Sequence, residues 1–117
     1  MVEGDNLIVG LTFRFSLNII LFCEELERDR KYNLCNQLFR SATSIGANVR
    51  EAQGAESRSD FIHKLKVAYK EAEEAKYWLQ LCIASPSYPN PDNLLPEVES
   101  ILRVIGKIIV SSKLPKS

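Results

Sequence analysis

Apolar residues recur along this chain at steps of three and four until Pro86, a spacing that predicts helices rather than strands. Prolines are absent before Pro86. Pro86, Pro89, Pro91 and Pro96 then crowd one stretch and Pro115 closes the tail, which places a longer loop ahead of the last helix. A first helix is expected over about 6–28, with Ile8, Phe15, Ile19, Phe22 and Leu26 on one face. A second covers about 31–53, with Leu34, Leu38, Ala42, Ile45, Val49 and Ala52 as its stripe. The third, about 58–84, opens with Ser57 three residues before Asp60, a capping-box variant. Its stripe is Phe61, Leu65, Ala68, Ala72, Ala75, Leu79 and Cys82. The fourth, about 93–111, holds Pro96 in its first turn, where a missing N–H costs little, and carries a wide face from Leu94 and Val98 through Ile101, Leu102, Ile105, Ile108 and Ile109. Two short connections and one longer loop predict an all-α, antiparallel up-down-up-down four-helix bundle forming one domain over 1–117.

The segment QLFRSATSIGANVREAQG interrupts this regularity with small and polar residues where better helix formers exist. At about 100° per residue, Ser41 and Asn48 fall just beside Ile45, with Ser44, Glu51 and Arg40 progressively further round. The third helix has a comparable shoulder of Val67, Glu71, Glu74 and Trp78. A seam of this kind reads as close helix packing, its hydroxyls and amide satisfied by one another or by backbone. The competing reading is a ligand or catalytic site between helices. Packing is preferred, with Arg40 reaching the Glu71 or Glu74 carboxylate across the seam as a charge-assisted pair.

Charge and chemistry narrow the function. The 117 residues hold 15 Lys+Arg against 15 Asp+Glu, a net charge of +0, without the basic excess of an autonomous nucleic-acid binder. The first residues are acidic where a signal peptide is basic, and no stretch is read as reaching the roughly 18 apolar residues of a membrane span, so a cytoplasmic protein with no membrane partner is expected. Cys23, Cys35 and Cys82 are odd in number and lack a CxxC pair; they are expected as reduced, buried thiols outside any disulfide framework or zinc site. His63 is the only histidine. Its i, i+3 spacing from Asp60 matches half of a bundle metal site, but a di-metal bundle needs that pair twice with further glutamates. A helix cap followed by a surface histidine is the simpler reading. With no nucleophile elbow and no glycine-rich phosphate loop, neither catalysis, a cofactor nor a small-molecule substrate is expected.

The stretch RSATSIGANVREAQGAESRSDFIHKLKVAYKEAEEAKYWLQL resembles the motif region of a bacterial four-helix-bundle family, the proteins encoded by intervening sequences in 23S ribosomal RNA genes. Arg40, Ser41, Ser44, Ile45, Ala47, Asn48, Glu51 and Gly54 carry the likeness on the second helix. Ser59, Asp60, Phe61, Lys70, Glu71, Ala72, Glu74, Tyr77, Trp78 and Leu79 carry it on the third. Arg50 and Ala75 depart from the residues relatives often have. The resemblance implies a bundle assembling as a homopentamer. The chain is also similar to the accessory variability determinants of diversity-generating retroelements, which work with a reverse transcriptase and its RNA.

Self-association is also suggested by residues flanking the core stripes: Tyr32, Phe39, Thr43 and Gly46 on the second helix, Ile62 and Tyr69 on the third. Tyr32, Phe39, Ile62 and Tyr69 are the candidate oligomer interface. Two functions stay open. One is an RNA-associated scaffold in which Arg50, Arg58, Lys66 and Lys70 make positioning contacts to phosphates. The alternative is an assembly platform for another protein, for example a nucleic-acid enzyme such as a reverse transcriptase, with those cations simply solvated beside Asp60, Glu56 and Glu73.

Overall fold

The computed structural model describes the backbone of residues 3–114 and the side chains of residues 7–114; the outermost parts of the expected 1–117 domain, Pro115 included, lie outside the described residues. Four helices follow in order: α1 (Glu3–Arg28), α2 (Tyr32–Gln53), α3 (Arg58–Ala84) and α4 (Leu94–Lys113). α1 starts a turn earlier than the apolar period alone indicates, and α4 runs two residues further.

Each boundary has a local cause. α1 closes in a Schellman pattern: the Lys31 N–H donates to the Leu26 carbonyl at 2.8 Å and the Arg30 N–H to that of Glu27 at 2.9 Å. This puts Arg30, at φ 60°, in the left-handed position where glycine is usual. At the start of α3 the Asp60 N–H donates to Ser57 Oγ at 3.0 Å, the forward half of the expected cap. Before α4 the chain turns at Asp92, φ 51°, whose N–H donates to Asn90 Oδ1 at 2.8 Å in an Asx turn.

Interhelical pairs establish the topology. Early α2 meets late α3 through Arg40 with Glu71 and Glu74, and late α2 meets early α3 through Glu51 with Lys64. Lys76 of α3 reaches Glu99 of α4 at 3.4 Å, and Asn18 Nδ2 of α1 donates to both Glu97 carboxylate oxygens at 3.1 and 3.2 Å. Neighbours are therefore antiparallel around a square ring, α1–α2–α3–α4 and back to α1, and among the described residues no close approach joins α1 to α3 or α2 to α4. The two connections at one end touch, with Lys31 Nζ 4.7 Å from the centre of the Tyr88 ring. The α2–α3 turn and the end of α4 share the opposite end.

The core matches the expected stripes, with differences where a helix reaches the rim. Leu34 is half-buried and Cys35 takes its place inside; Phe61, Leu102, Ile108 and Ile109 pack against the core while keeping an edge in water. One expectation is corrected: Leu7–Arg28 is long and apolar enough, by length and composition, to cross a membrane, at mean hydropathy 1.7. Asn18 does not interrupt it, because α1 is apolar on two faces. Ile8, Phe15, Ile19 and Leu26 enter the core, while Leu7, Phe13, Leu17, Ile20 and Leu21 are 37–63% exposed on the outside.

The strained α1 terminus is testable. Replacing Arg30 with glycine removes the Cβ clash of the left-handed conformation and is expected to raise stability by about 0.5–1 kcal/mol. The shift is read as a higher urea midpoint at unchanged slope; an unchanged midpoint would mean that Arg30 carries no such strain.

Candidate functional site

Helices α2 and α3 share the most extensive contact in the bundle, and the seam predicted from sequence lies along it. Ser41 is fully buried and its hydroxyl donates to the carbonyls of Gln37 at 3.0 Å and Leu38 at 3.3 Å. Ser44 Oγ donates to the Arg40 carbonyl at 2.7 Å, and Asn48 Nδ2 to that of Ser44 at 2.9 Å. Each polar group is thus satisfied one turn back on its own helix. Thr12 of α1 repeats the device, donating to Ile8 at 2.8 Å while 1% exposed. Buried hydroxyls arranged this way need nothing from the facing helix, which answers with the fully buried alanines Ala68, Ala72 and Ala75. The geometry is that of two backbones brought close by small side chains.

The rim of the seam is ionic. Arg40 bonds Glu71 at 3.4 Å and makes a second, closer contact with Glu74, whose carboxylate also accepts from Trp78 Nε1 at 3.1 Å. Of the two partners anticipated for Arg40, the structure uses both. Glu51 turns outward to Lys64 at 2.9 Å and holds that ammonium above its ordinary pKa. Lys64 was not singled out from sequence. Its signal was the turn of only a few residues between α2 and α3, which brings position 51 opposite position 64.

The basic residues do not form one surface. Arg50 lies on the α1–α2 side, its guanidinium 5.4 Å from the centre of the Phe13 ring. Arg58 and Lys66 line a cleft at the α2–α3 turn end together with Ser59, Ile62, His63 and Lys113 of α4. Lys70 is exposed one turn beyond Lys66. The four candidate interface residues also separate. Tyr32 and Phe39 are 55% and 44% exposed on α2. Phe39 stands one turn from Thr43, which with Gly46 and Arg50 borders the α1–α2 groove. Ile62 lines the basic cleft, and Tyr69 is half-buried over Gly106 of α4. In a ring of four helices the α1–α2 and α3–α4 grooves lie on opposite sides. The exposed α1 stripe was missed from sequence, although Gly10, Phe13, Leu17 and Ile20 recur at helical spacing.

None of the seam residues is presented as a nucleophile, since each hydroxyl is spent on a carbonyl. Among the described residues no three His, Cys, Asp or Glu side chains are grouped to hold a metal. The three cysteines are buried and free. Burial, then the neighbouring Cys35, pushes the Cys23 thiol up from 9.0 to about 12, and burial pushes Cys82 up to about 11. Cys35 is raised as well, chiefly by burial. Cys23 and Cys35 each donate to the other's carbonyl, at 3.7 and 3.6 Å.

These features define a class: small four-helix bundles built on a back-bonded polar seam between the second and third helices. The chain belongs to the 23S rRNA-intervening sequence protein family, whose model matches residues 5–109. It is similar to a solved structure described as a protein of unknown function from the S23 ribosomal protein family of Bacteroides thetaiotaomicron VPI-5482. The two share 35% sequence identity with a TM-score of 0.87, over 92% of this chain and 99% of that one. No curated protein matches. Neither the family description nor the structural relative is that of a known enzyme.

Two measurements test the seam. Ser41→Ala is expected to change stability by less than about 1 kcal/mol, because the own-helix bond is lost together with the buried hydroxyl it served. Ala72→Leu is expected to cost about 1–3 kcal/mol by overpacking, and equal effects from the two substitutions would contradict close packing. For the cysteines, folded values above the unfolded ones mean that their contribution is fully present below pH 9 and is lost as pH rises toward about 11–12. A stability profile should therefore fall over that window, and the fall should shrink in Cys23→Ala.

Proposed function

We propose that the protein is a non-enzymatic scaffold of the cytoplasm that assembles with copies of itself, as a pentamer, and associates with RNA. The observation that carries this reading is the outward stripe of α1. Leu7, Gly10, Phe13, Leu17, Ile20 and Leu21 fall on one side of the helix and stay largely in water, and Phe39 of α2 extends the apolar surface. Contiguous apolar surface of this kind is rare on a monomer and marks a partner surface. At its α2 edge Gly46 sits against Ser16 and the Thr12 carbonyl, 3.5 and 3.6 Å from where a Cβ would stand, so the two helices meet there without an intervening side chain.

A second copy is the occupant favoured by shape. A cyclic ring with an odd number of subunits needs two different faces on each one, and contacts between unlike faces close into rings when the rotation allows. The bundle offers an apolar α1–α2 side and, opposite it, a mixed α3–α4 side of Tyr69, Glu73, Lys76, Gln80, Glu99 and Arg103. Arg50 on the first side and the α3–α4 carboxylates on the other supply opposite charge across such a contact. RNA association draws on the family description and on the cations away from that contact, Arg58, Lys66 and Lys70. The alternative, a platform for another protein, is favoured by the net charge of +0.

Light-scattering mass across a salt titration, with and without total cellular RNA, tests the proposal. The expected result is a multiple of 13.3 kDa that gains RNA mass at low salt and loses it steeply as salt rises. Leu17→Glu is expected to give a monomer with unchanged helical circular dichroism. A monomeric wild-type protein would overturn the assembly, whereas an oligomer indifferent to RNA would replace the RNA reading with the protein-platform one.

A further inference from the structure

We infer that the cleft between the first turns of α3 and the last turn of α4 is a phosphate-binding site, in which Arg58, His63, Lys66 and Lys113 receive the phosphate group of an anionic ligand. That the ligand in the cell is an RNA backbone rests on the scaffold reading above; the site itself does not.

Register and chemistry support it together. Antiparallel packing of α3 and α4 brings Lys113, near the end of the described chain, onto the face of α3 that carries Arg58, Ser59, Ile62, His63 and Lys66. These six residues line an open cleft of about 650 Å³, large enough for a phosphate with a substituent. Among the described residues the lining holds three basic side chains, a histidine and a hydroxyl, and no carboxylate. Asp60, one turn before His63 and Lys64, stands at the edge of this face, where its charge acts on Lys64, and it does not line the cleft. The ion pairs among the described residues engage Arg40, Lys64 and Lys76, and none involves Arg58, Lys66 or Lys113.

Lys66 and Lys113 line the cleft together, and Lys113 is held below its ordinary pKa, first by the hydrogen bond its neutral amine accepts from Lys66 and second by repulsion between the two charges. Lys113 suits the negative end of the α4 dipole, which accounts for its charge but not for its placement against Lys66. Arg58 is less well served, standing at the positive end of α3. Surface chains repelling one another can swing apart; an oxyanion seated between them turns repulsion into shared charge-assisted hydrogen bonds. The Asp60 N–H is capped by Ser57, and the N–H groups of Arg58 and Ser59 at the start of α3, which have no acceptor within the helix, add to the same field. Ile62 gives the cleft an apolar wall, which lowers local screening without competing for the anion.

Because His63 is the chain's single histidine, its imidazole resonances report on this cleft alone. The test is a titration of the full chain with inorganic phosphate and, separately, with a short oligouridylate, at fixed ionic strength. Saturable movement of the His63 resonances is expected with phosphate, with affinity falling about tenfold or more in the Lys66→Gln, Lys113→Gln double variant. A Lys31→Gln, Lys107→Gln double variant, an equal charge change away from the cleft, is expected to leave the affinity unchanged. Resonances that do not move with phosphate, or move equally in the double variant, overturn the site. Oligouridylate binding that bypasses His63 and survives the double variant also overturns it while leaving the RNA reading intact. Phosphate binding without oligouridylate binding supports the site and removes the RNA reading.

Discussion

The close approach of α2 and α3 is the constraint on which the rest of the molecule depends. Two helices draw together only as far as their facing side chains allow, and here the facing set is serine and alanine. A hydroxyl in that position would ordinarily need a partner across the interface. Back-bonding to its own helix frees Ser41 to behave as a small, satisfied residue. The arrangement gives up some helix propensity for proximity, and larger side chains such as Leu38, Leu65 and Leu79 fill the core around the alanines. Once that pair is registered, Arg40 can reach two carboxylates at one end of the seam, and Glu51 meets Lys64 at the other.

The outer pair of helices is held differently. α1 carries bulky residues on both faces, so only part of its apolar surface can enter a four-helix core. The fold spends Ile8, Phe15, Ile19 and Leu26 on that core and fastens α1 to α4 with the Asn18 amide on Glu97. Phe13, Leu17 and Leu21 are left outside because the opposite side of a helix in a ring of four has no neighbour. The same residues that give α1 the length and apolarity of a membrane span are thus divided between a face buried in the core and a face left in water, the one the proposed assembly would cover.

This division explains what was legible in the sequence. Helix period, proline placement and the Ser57 cap report on local geometry, so the four elements, their order and the stripes could be read directly. The seam was legible because Ser41, Ser44 and Asn48 recur on one shoulder, and Arg40 pointed to its partners through charge. Contacts that depend on register between distant helices were not. Lys113 meets Lys66 only because α3 and α4 pack antiparallel with a particular offset, and nothing local at either position signals the other. The α1 stripe was hidden for another reason: with apolar residues on two faces, the period blurs and the segment reads simply as hydrophobic.

A net charge of zero is therefore a poor guide to what this surface can do. Cancellation over the whole chain conceals a segregation in which one side is apolar, the opposite side mixes charges, and one cleft at the α2–α3 turn end is lined by cations with no carboxylate among the described residues. In the proposed ring, built through lateral faces with bundle axes aligned, cyclic symmetry sets the same end of every subunit on one rim. Clefts that are weak singly would then act on a long polyanion together, where linkage of sites raises overall affinity without any new contact. On that reading, assembly through α1 and anion capture at the α2–α3 turn end would be one design. The apolar stripe would supply the valency, and the local charge separation what is multiplied.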